Sequence, residues 1–250
     1  MNVAIITGAS SGMGRYFSLM TPLYFKDVDE IWLIARRKNI LEDIATYIDI
    51  PCKVLAGDLL AEDIYTKTDD LLKSRNASVK LLVNCAGFGK NGYFEKIEKD
   101  NHCMQSSMVS LNCTAVVKMC EVVLKYMHNG SHIINVASGA AFCPQPGFSV
   151  YAATKSFVLS FSRSLGAELK NRKIYVTAVC PGPVDTEFFN TAGQITSSVK
   201  KLVIAKPDKV VKKALSDSLR KKELSVYGLS MKFSHLASKI IPKRLIMKFF

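Results

Sequence analysis

The sequence predicts an α/β fold built on a single doubly wound parallel sheet with helices on both faces. Short apolar runs rich in β-branched residues alternate with amphipathic stretches of helical period along residues 2–180. Each run is almost continuously apolar, which is typical of strands buried on both faces of a parallel sheet. The first run ends in a cluster of glycines and leads directly into a helical stretch. Because strand, glycine-rich turn and helix open the Rossmann-type unit in this order, we expect that architecture here.

The composition fits one large domain with an unusually basic end. The chain has 250 residues, of which 48% are hydrophobic, and this is ample for a sizeable core. Residues 199–250 hold 14 Lys and Arg residues against three acidic ones, so almost the whole net charge of +13 lies there. A localised positive surface indicates either an anionic partner or a solvated helical face that keeps the protein soluble.

The cysteines and histidines predict no disulfide framework and no metal site. The seven cysteines are scattered and form no C-x-x-C pair, and no secretory leader precedes the first apolar run. We therefore expect a reduced, cytoplasmic protein. The four histidines match no zinc spacing. No apolar run reaches the roughly 18–20 residues of a transmembrane helix.

The first strand is expected over Asn2–Thr7 and is followed by Gly8, Gly12 and Gly14. Glycine is needed where the backbone turns tightly or approaches a phosphate closely. The helix N-terminus that follows favours negative charge, so the turn is a candidate pyrophosphate site. A plain β-α turn can show the same pattern, and the motif is weak when it stands alone.

The second strand, expected over Glu30–Ala35, is followed by Arg36 and Arg37. Ala35 stands where an acidic residue would bind the ribose 2′-hydroxyl of NAD(H). A guanidinium can instead pair with a 2′-phosphate, so we expect NADP(H) as the cofactor. Arg36 is favoured for this contact, because Arg37 can equally begin the next solvent-facing helix.

The rest of the α/β alternation places further polar residues at strand ends. Strands are expected over residues 52–56, 79–83, 131–136 and 174–180, and helices over 61–75, 100–127 and 149–169. The candidate site residues lie at or just past the carboxyl ends of these strands. In open α/β sheets, ligands bind at that edge.

Tyr151 and Lys155 lie one turn apart on the helix expected over 149–169, and Ser138 precedes Tyr151 by thirteen residues. An ammonium group within about 4–6 Å lowers the pKa of a tyrosine from its usual value near 10. We therefore expect Lys155 to let Tyr151 exchange a proton near neutral pH. The spacing also occurs by chance on amphipathic helices, so the neighbouring motifs decide its meaning.

Residues 2 to about 190 resemble the short-chain dehydrogenase/reductase family in the order and spacing of seven motifs. These are Thr7-Gly-Ala-Ser-Ser-Gly-Met-Gly14, Asp58, Asn84-Cys-Ala-Gly87, Asn112, Ser138, Tyr151-x-x-x-Lys155 and Pro181-Gly182. One departure is Cys85, where the family more often has a second asparagine. The resemblance implies hydride transfer between a nicotinamide and a carbonyl or alcohol carbon.

The resemblance also implies a role for each matching residue. Tyr151 would act as the general acid in reduction, and Ser138 would polarise the carbonyl. Lys155 would lower the Tyr151 pKa and bind the nicotinamide ribose, while Asn112 would hold a water that links Lys155 to solvent. The implied cofactor contacts are Gly8, Ser10, Ser11, Gly12, Met13 and Gly14 for the pyrophosphate, Arg36 and Arg37 for the 2′-phosphate, Asp58 and Leu59 for the adenine, Asn84, Ala86, Gly87, Tyr151 and Lys155 for the ribose, and Pro181, Gly182, Val184 and Thr186 for the carboxamide.

Aromatic residues near these motifs predict a lipophilic substrate. The segment 184–206 is expected to close over the substrate, which would be a bulky carbonyl or alcohol such as a steroid, a bile acid, a fatty acyl chain or an aromatic ketone. Packing in the core is the alternative for each aromatic ring. The five residues expected to face the cleft are Phe88, Phe142, Phe148, Phe188 and Phe189.

Residues 229–250 form a basic amphipathic segment beyond the catalytic domain expected over 1–228. Apolar residues recur there at steps of three and four, and Pro242 interrupts the pattern. We expect this segment either to lie on an anionic membrane, as a peripheral contact, or to pack on the body or a second subunit near the substrate entrance, which is slightly favoured. No nucleic-acid-binding module is recognised, and a homodimer or homotetramer is expected.

The leading hypothesis is an NADP(H)-dependent oxidoreductase acting on a lipophilic carbonyl or secondary alcohol. The alternative is a non-catalytic NADPH-sensing or scaffold protein of the same fold. The presence of Ser138, Tyr151 and Lys155 argues against the alternative, because a sensor needs no proton-transfer group.

Overall fold

A seven-stranded parallel sheet forms the centre of the molecule, in a computed structural model that describes residues 1–193 and 204–247. The strand order is β3-β2-β1-β4-β5-β6-β7, so the predicted doubly wound sheet is confirmed. The order reverses between β1 and β4, which opens a crevice at the carboxyl ends of these two strands. The strands are β1 (Asn2–Thr7), β2 (Glu30–Ala35), β3 (Cys52–Ala56), β4 (Ser78–Asn84), β5 (His132–Val136), β6 (Tyr175–Val179) and β7 (Leu224–Ser225).

Helices cover both faces of the sheet. They are α1 (Gly12–Tyr24), α2 (Lys38–Ala45), α3 (Asp63–Ser74), α4 (Phe94–Asp100), α5 (Met104–Val109), α6 (Ala115–Leu124), α7 (Ser149–Glu168), α8 (Phe188–Ala192), α9 (Pro207–Leu219), α10 (Leu229–Ile240) and α11 (Lys243–Ile246). A single π-helical turn, Ser110–Thr114, joins α5 to α6, and a 3-10 turn, Gly139–Phe142, follows β5.

Alternating side chains of each strand supply two separate cores. Val3 and Ile5 of β1 pack on the face covered by α3, α6 and α7, while Ala4 and Ile6 pack on the face covered by α1, α2 and α9. This division follows from the period of two along a strand. Both faces are apolar, which explains why the strands read as unbroken hydrophobic runs.

The last strand, β7, has no hydrophobic pattern of its own and was not expected from the sequence. The buried carboxylate of Asp217 fixes it, because Asp217 accepts hydrogen bonds from Ser225 Oγ at 2.8 Å and from Lys222 Nζ at 2.9 Å. An ion pair with Lys213 completes the cluster at 2.8 Å. Burial opposes ionisation of this carboxyl, but these bonds hold the pKa of Asp217 below its usual value.

The prediction of one regular helix over residues 100–127 was wrong in two respects: the helix begins later, and a π-helical turn interrupts it. The chain breaks at Cys103, which has a left-handed backbone (φ +61°), and the helix begins at Met104. Met104–Leu124 spans 21 residues and contains an 18-residue window with a mean hydropathy of 1.4, so one described helix has the length and composition that could cross a membrane. The expectation that no stretch reaches that length was therefore wrong, although α6 supplies Val116, Met119 and Val123 to the buried core.

The segment expected to close over the substrate is described only at its ends. A parallel bridge joins Val184 to Ala205, and Asp185 N donates a hydrogen bond to Ala205 O at 3.0 Å. These contacts bring the two ends of the segment together beside β6. Residues 194–203 lie outside the described residues, as do residues 248–250 of the basic segment.

Candidate active site

The glycine-rich turn after β1 packs directly on the backbone that follows β4. Gly8 has φ +67°, and a Cβ atom at this position would lie 2.8 Å from Ala86 Cα. Thr7 Oγ1 accepts hydrogen bonds from the N–H groups of Cys85 at 3.1 Å and Ala86 at 3.3 Å. The two strand ends are thereby held together at the crevice, and no side chain larger than hydrogen fits at residue 8.

This turn fits the pyrophosphate of a dinucleotide. It opens helix α1, whose first backbone N–H groups have no intrahelical partners and favour an anion. The loop after β6 lies close by, since a Cβ atom on Gly12 would be 3.3 Å from Thr186 Cβ. A cavity of about 280 Å³ lies between the glycine-rich turn, α2 and this loop, and Ser10, Ser11, Gly12, Arg15, Asp185 and Thr186 are among its lining residues.

The two arginines after β2 have different surroundings. Arg37 donates hydrogen bonds to Ser10 Oγ and to Ser10 O, both at 3.2 Å, and forms an ion pair with Glu187 at 3.1 Å. Arg37 therefore joins the glycine-rich turn to the loop after β6, across the crevice. Arg36 is exposed at the end of β2. Arg37 is thus already paired with Glu187, whereas the guanidinium of Arg36 faces solvent beside the expected position of the cofactor ribose.

The residues expected around the adenine and ribose divide into two groups. Asp58 Oδ1 accepts a hydrogen bond from Leu60 N at 3.0 Å, which shapes the turn after β3, and Leu59 is buried. The Asn84 side chain instead turns into the interior, where it donates to Asn135 Oδ1 at 2.9 Å. Asn135 in turn donates to Ser162 Oγ at 3.0 Å. Asn84 is thus part of a buried polar chain between β4, β5 and α7.

Tyr151 lies on the first turn of α7 in an aromatic environment. Its ring stacks on Phe148 at 4.3 Å and meets Phe188 at 5.4 Å. Ser138 Oγ accepts a hydrogen bond from Ala140 N at 3.1 Å, and the Ser138 side chain lies near Tyr151. Burial raises the pKa of Tyr151 to about 12, and the hydrogen bond with Ser138 offsets only part of this effect.

The expectation that Lys155 lowers the pKa of Tyr151 toward neutrality is wrong, because burial raises that pKa instead. Lys155 Nζ donates a hydrogen bond to Val136 O at 2.8 Å and lies 5.7 Å from the centre of the Tyr151 ring. The ammonium group is therefore directed to the end of β5 while the phenol is desolvated by its aromatic neighbours. Burial also lowers the pKa of Lys155 to about 8, and this lysine retains its proton at neutral pH.

Asn112 lies in the π-helical turn and is fully engaged with the chain. Its Oδ1 accepts a hydrogen bond from Phe88 N at 3.0 Å, and its Nδ2 donates to Phe88 O at 2.9 Å and to Thr154 Oγ1 at 3.1 Å. A Cβ atom on Gly87 would lie 2.7 Å from Asn112 Oδ1 and 3.4 Å from Lys155 Nζ. Asn112 thus fixes the loop after β4 beside Lys155. π-Helical turns occur frequently at functional sites.

Comparison with known proteins identifies the family. A family model described as short chain dehydrogenase matches residues 2–195. This chain belongs to the short-chain dehydrogenase family. The 17-beta-hydroxysteroid dehydrogenase type 3 of Rattus norvegicus is 30% identical over 80% of this chain and 66% of its own length. The very-long-chain 3-oxoacyl-CoA reductase-B of Danio rerio is 29% identical over 98% of this chain and 78% of its own.

A solved structure shows the same architecture. The short-chain dehydrogenase from Sphingobium yanoikuyae in complex with NADPH is 25% identical, with a TM-score of 0.79 over all of this chain and 96% of that one. This short-chain dehydrogenase spans just under two thirds of the length of the rat relative. The family match lies within the α/β fold that surrounds the crevice.

The aromatic residues of this short-chain dehydrogenase do not all face one cleft. Phe88, Phe148 and Phe188 pack in the cluster that holds Tyr151. Phe189 meets Phe188 edge to face at 5.9 Å, one ring farther out. Phe142 lies in a different cluster and contacts the His235 ring of α10 at 4.5 Å. Four of the five expected aromatic residues are thus grouped near Tyr151, and the structure does not bring Phe142 to them.

Helix α10 closes the side of the site formed by the ends of β5 and β6. Gly139 N donates a hydrogen bond to Pro181 O at 2.7 Å, which joins the two strand ends. Met231 of α10 packs on this junction, since a Cβ atom on Gly182 would lie 2.9 Å from Met231 Cγ, and Met231 Cε also approaches Gly139. Val184 is buried beside the same loop. The basic segment therefore contacts the chain that carries Ser138 and Gly182.

Three residues that shape the site of this short-chain dehydrogenase were not singled out from the sequence. Thr7 was part of a motif, but its tether to the loop after β4 depends on strands that are distant in sequence. Glu187 pairs with Arg37, 150 positions away, and no local signal predicts such a pair. Met231 belongs to a helical pattern that predicts an amphipathic helix without indicating what its inner side contacts.

Proposed function

We propose that this protein is an NADP(H)-dependent oxidoreductase that transfers hydride between the nicotinamide and a carbonyl or secondary alcohol of a lipophilic substrate. The observation that carries the proposal is the buried phenol of Tyr151, stacked on Phe148 at 4.3 Å with Lys155 Nζ 5.7 Å from the centre of its ring. When bound, the cofactor supplies or accepts the hydride. The chain supplies the groups that bind the substrate oxygen and move its proton.

In the proposed reduction, Tyr151 donates its phenolic proton to the oxygen on which negative charge develops. Burial keeps this phenol protonated at neutral pH, which is the state that a general acid needs. Ser138 donates a hydrogen bond to the same oxygen, and a donor aimed at developing charge stabilises the transition state more than the ground state. Lys155 contributes a positive charge beside Tyr151, and this charge stabilises the phenolate left after proton transfer.

The cofactor assignment rests on the charges beside β2. Ala35 leaves no carboxylate at the end of that strand, and Arg36 presents an exposed guanidinium there. A 2′-phosphate adds about two negative charges that a guanidinium can bind in a bidentate manner. Among solved structures of this fold, one is in complex with NADPH and another with NADH, so the charges beside β2 alone carry the choice.

The substrate class rests on the aromatic rings around Tyr151. Phe88, Phe148 and Phe188 form an apolar wall at the reacting phenol, with Phe189 beyond Phe188. Such a wall favours a bulky apolar group next to the carbonyl. The names of the rat and zebrafish relatives refer to a hydroxysteroid and to a very-long-chain oxoacyl thioester, and both are lipophilic. We propose a steroid, a bile acid, a fatty acyl or an aromatic ketone.

The test is a turnover assay with NADPH and a panel of ketones from these classes. The parent is expected to oxidise NADPH with at least one bulky ketone, and Tyr151→Phe is expected to lose at least about a hundredfold in kcat, the usual contribution of a general acid. Tyr93→Phe is the matched control, because Tyr93 is exposed. If NADPH binds tightly but no ketone is reduced by the parent, the proposal is wrong and a sensing or scaffold role replaces it.

A further inference from the structure

Helix α10 has two opposite faces, and only one of them is used inside the protein. Met231 and His235 face the body, where they contact Gly182 and Phe142. Four large apolar residues are exposed on α10. Their exposed fractions are 84% for Leu229, 73% for Phe233, 56% for Leu236 and 73% for Ile240. We call these four residues the outer stripe.

The outer stripe is a continuous feature of the helix surface. At 100° per residue, its four members fall within an arc of about 60°, on the side opposite to Met231. Beyond Pro242, Ile241 and Leu245 are also exposed. Residues 229–245 contain six of the sixteen large hydrophobic residues that are exposed in the described part of the chain. Contiguous apolar surface of this kind marks an interaction site more often than scattered single residues do.

The charges around the outer stripe are all positive. Lys232 and Lys239 flank it on α10, and Lys243 and Arg244 follow on α11. The last acidic residue of the sequence is Glu223, so residues 224–250 contain none. An apolar stripe flanked by lysines is the pattern of a helix that lies in the plane of a membrane surface. The lysine stems can extend along the apolar region while their ammonium groups reach the lipid headgroups.

A second copy of the chain fits this surface less well than a bilayer does. A two-fold contact would place the stripe of one copy against the stripe of the other. The basic residues of both copies would then approach each other, and the segment offers no acidic side chain to compensate them. In an anionic bilayer, the acyl-chain region can instead bury the outer stripe while the negative headgroups pair with the flanking lysines.

We propose that the outer stripe of α10, with its flanking lysines, docks this protein on the surface of a bilayer that contains anionic lipids. The inner face of the same helix stays on the body during docking, because Met231 remains packed at the junction of Gly139 and Gly182. The docked protein would thus hold the Ser138 side of its crevice close to the lipid surface. The docking surface itself does not depend on the proposed enzymatic function.

The experiment is co-sedimentation of the full chain with lipid vesicles. One set contains phosphatidylcholine alone and the other contains phosphatidylcholine with phosphatidylglycerol. The parent should sediment with the second set only, and added salt should weaken its binding. Phe233→Ser/Ile240→Ser should lower the vesicle partition coefficient by at least about tenfold, because two buried apolar side chains are lost from the interface. Lys232→Gln/Lys239→Gln should lower it by about 25-fold, at about fivefold for each basic residue.

Matched control variants distinguish a loss of membrane docking from a loss of folding and from nonspecific binding to vesicles. Leu23→Ser/Leu60→Ser removes two exposed apolar residues elsewhere, and Lys99→Gln/Lys170→Gln removes two exposed lysines elsewhere. Both controls should bind vesicles like the parent, and all variants should keep the parent's thermal midpoint. The proposal is overturned if the parent fails to sediment with the anionic vesicles, or if the stripe variant binds as well as its control. It is also overturned if the stripe variant changes the molecular mass in sedimentation velocity, which would assign the surface to contact between copies.

Discussion

Lys155 Nζ and the main-chain oxygen of Val136 are 2.8 Å apart, so the buried ammonium group is anchored to the end of β5. Desolvation lowers the pKa of this lysine to about 8. The positive charge beside Tyr151 is therefore present at neutral pH and is lost as the pH rises through about 8. The protonation states of Lys155 and Tyr151 therefore depend on how deeply each side chain is buried more than on the spacing of the two residues in sequence.

The first prediction concerns the pH dependence of reduction. In the free enzyme, kcat/KM should fall above about pH 8, because the deprotonated Lys155 no longer stabilises the phenolate. Lys155→Arg should lower the rate but remove this alkaline limb, since a guanidinium keeps its proton. Steady-state kinetics between pH 6 and pH 10 would measure both effects. An unchanged limb in the arginine variant would show that another group titrates there.

The second prediction compares the two arginines after β2. Arg36→Ala should lower the ratio of NADPH to NADH affinity by about tenfold or more, because it removes a charged partner of the 2′-phosphate. Arg37→Ala should change the ratio less and weaken both cofactors, since Arg37 connects Ser10 to Glu187. Titration calorimetry with both cofactors would separate the two patterns. Equal ratios in Arg36→Ala and the parent would contradict the assignment.

The third prediction concerns the aromatic wall. Phe188→Ala should raise the KM for a bulky ketone by about tenfold or more, because the ring beside Tyr151 loses its contact with the substrate. A small aliphatic ketone should be affected much less. Phe157→Ala is the control, since Phe157 stacks on Phe161 at 5.9 Å and lies outside the Tyr151 cluster. Equal effects on both ketones would indicate that Phe188 only supports the fold.

The fourth prediction concerns stability in acid. His132 is buried, its Nδ1 is 3.1 Å from Ser218 Oγ, and burial together with the charges of Lys80 and Lys221 lowers its pKa to about 4. Between about pH 6.5 and pH 4 the unfolded chain binds a proton at this residue and the folded chain does not. The free energy of unfolding should therefore fall as the pH drops through this window, by up to about 1.4 kcal/mol per pH unit.

A variant isolates this contribution. In urea melts across this pH window, His132→Asn should reduce the pH dependence of the free energy of unfolding by up to about 1.4 kcal/mol per pH unit, the effect of one proton. The reason is that the amide does not titrate. His102→Asn is the matched control, since that side chain is 86% exposed. Equal slopes in His132→Asn and His102→Asn would assign the acid sensitivity to the carboxylates instead.

Much of the fold could be predicted because its signals are local. The bounds of β1, β2 and β3 match the apolar runs, since strands buried on both faces leave an unbroken hydrophobic segment. The glycine-rich turn was visible because the close approach of Gly8 to Ala86 excludes any side chain. Strand β7 was missed because it has only two residues and forms by pairing with Ala178 and Val179 of β6, which are distant in sequence.

The chemistry of the site was less accessible from the sequence. The spacing of Tyr151 and Lys155 predicts their proximity, but the sign of the Tyr151 pKa shift depends on how completely Phe148 and Phe188 bury the ring. The interior position of Asn84 depends on Asn135 and Ser162, which reach it from other elements. Such effects arise from tertiary packing, for which a single sequence gives no periodic signal.

The π-helical turn at Ser110–Thr114 holds one residue more than a regular α-helical turn. Deleting one residue there would let regular α-helical bonding run from Met104 onward without rotating α5 relative to α6, because the wide turn already absorbs the extra residue. Met108 would therefore stay in the cluster with Tyr151. The deletion would act locally instead, on Asn112 and on the Phe88 backbone that it holds, so a single-codon gap here would disturb the loop after β4 before it disturbed the helix packing.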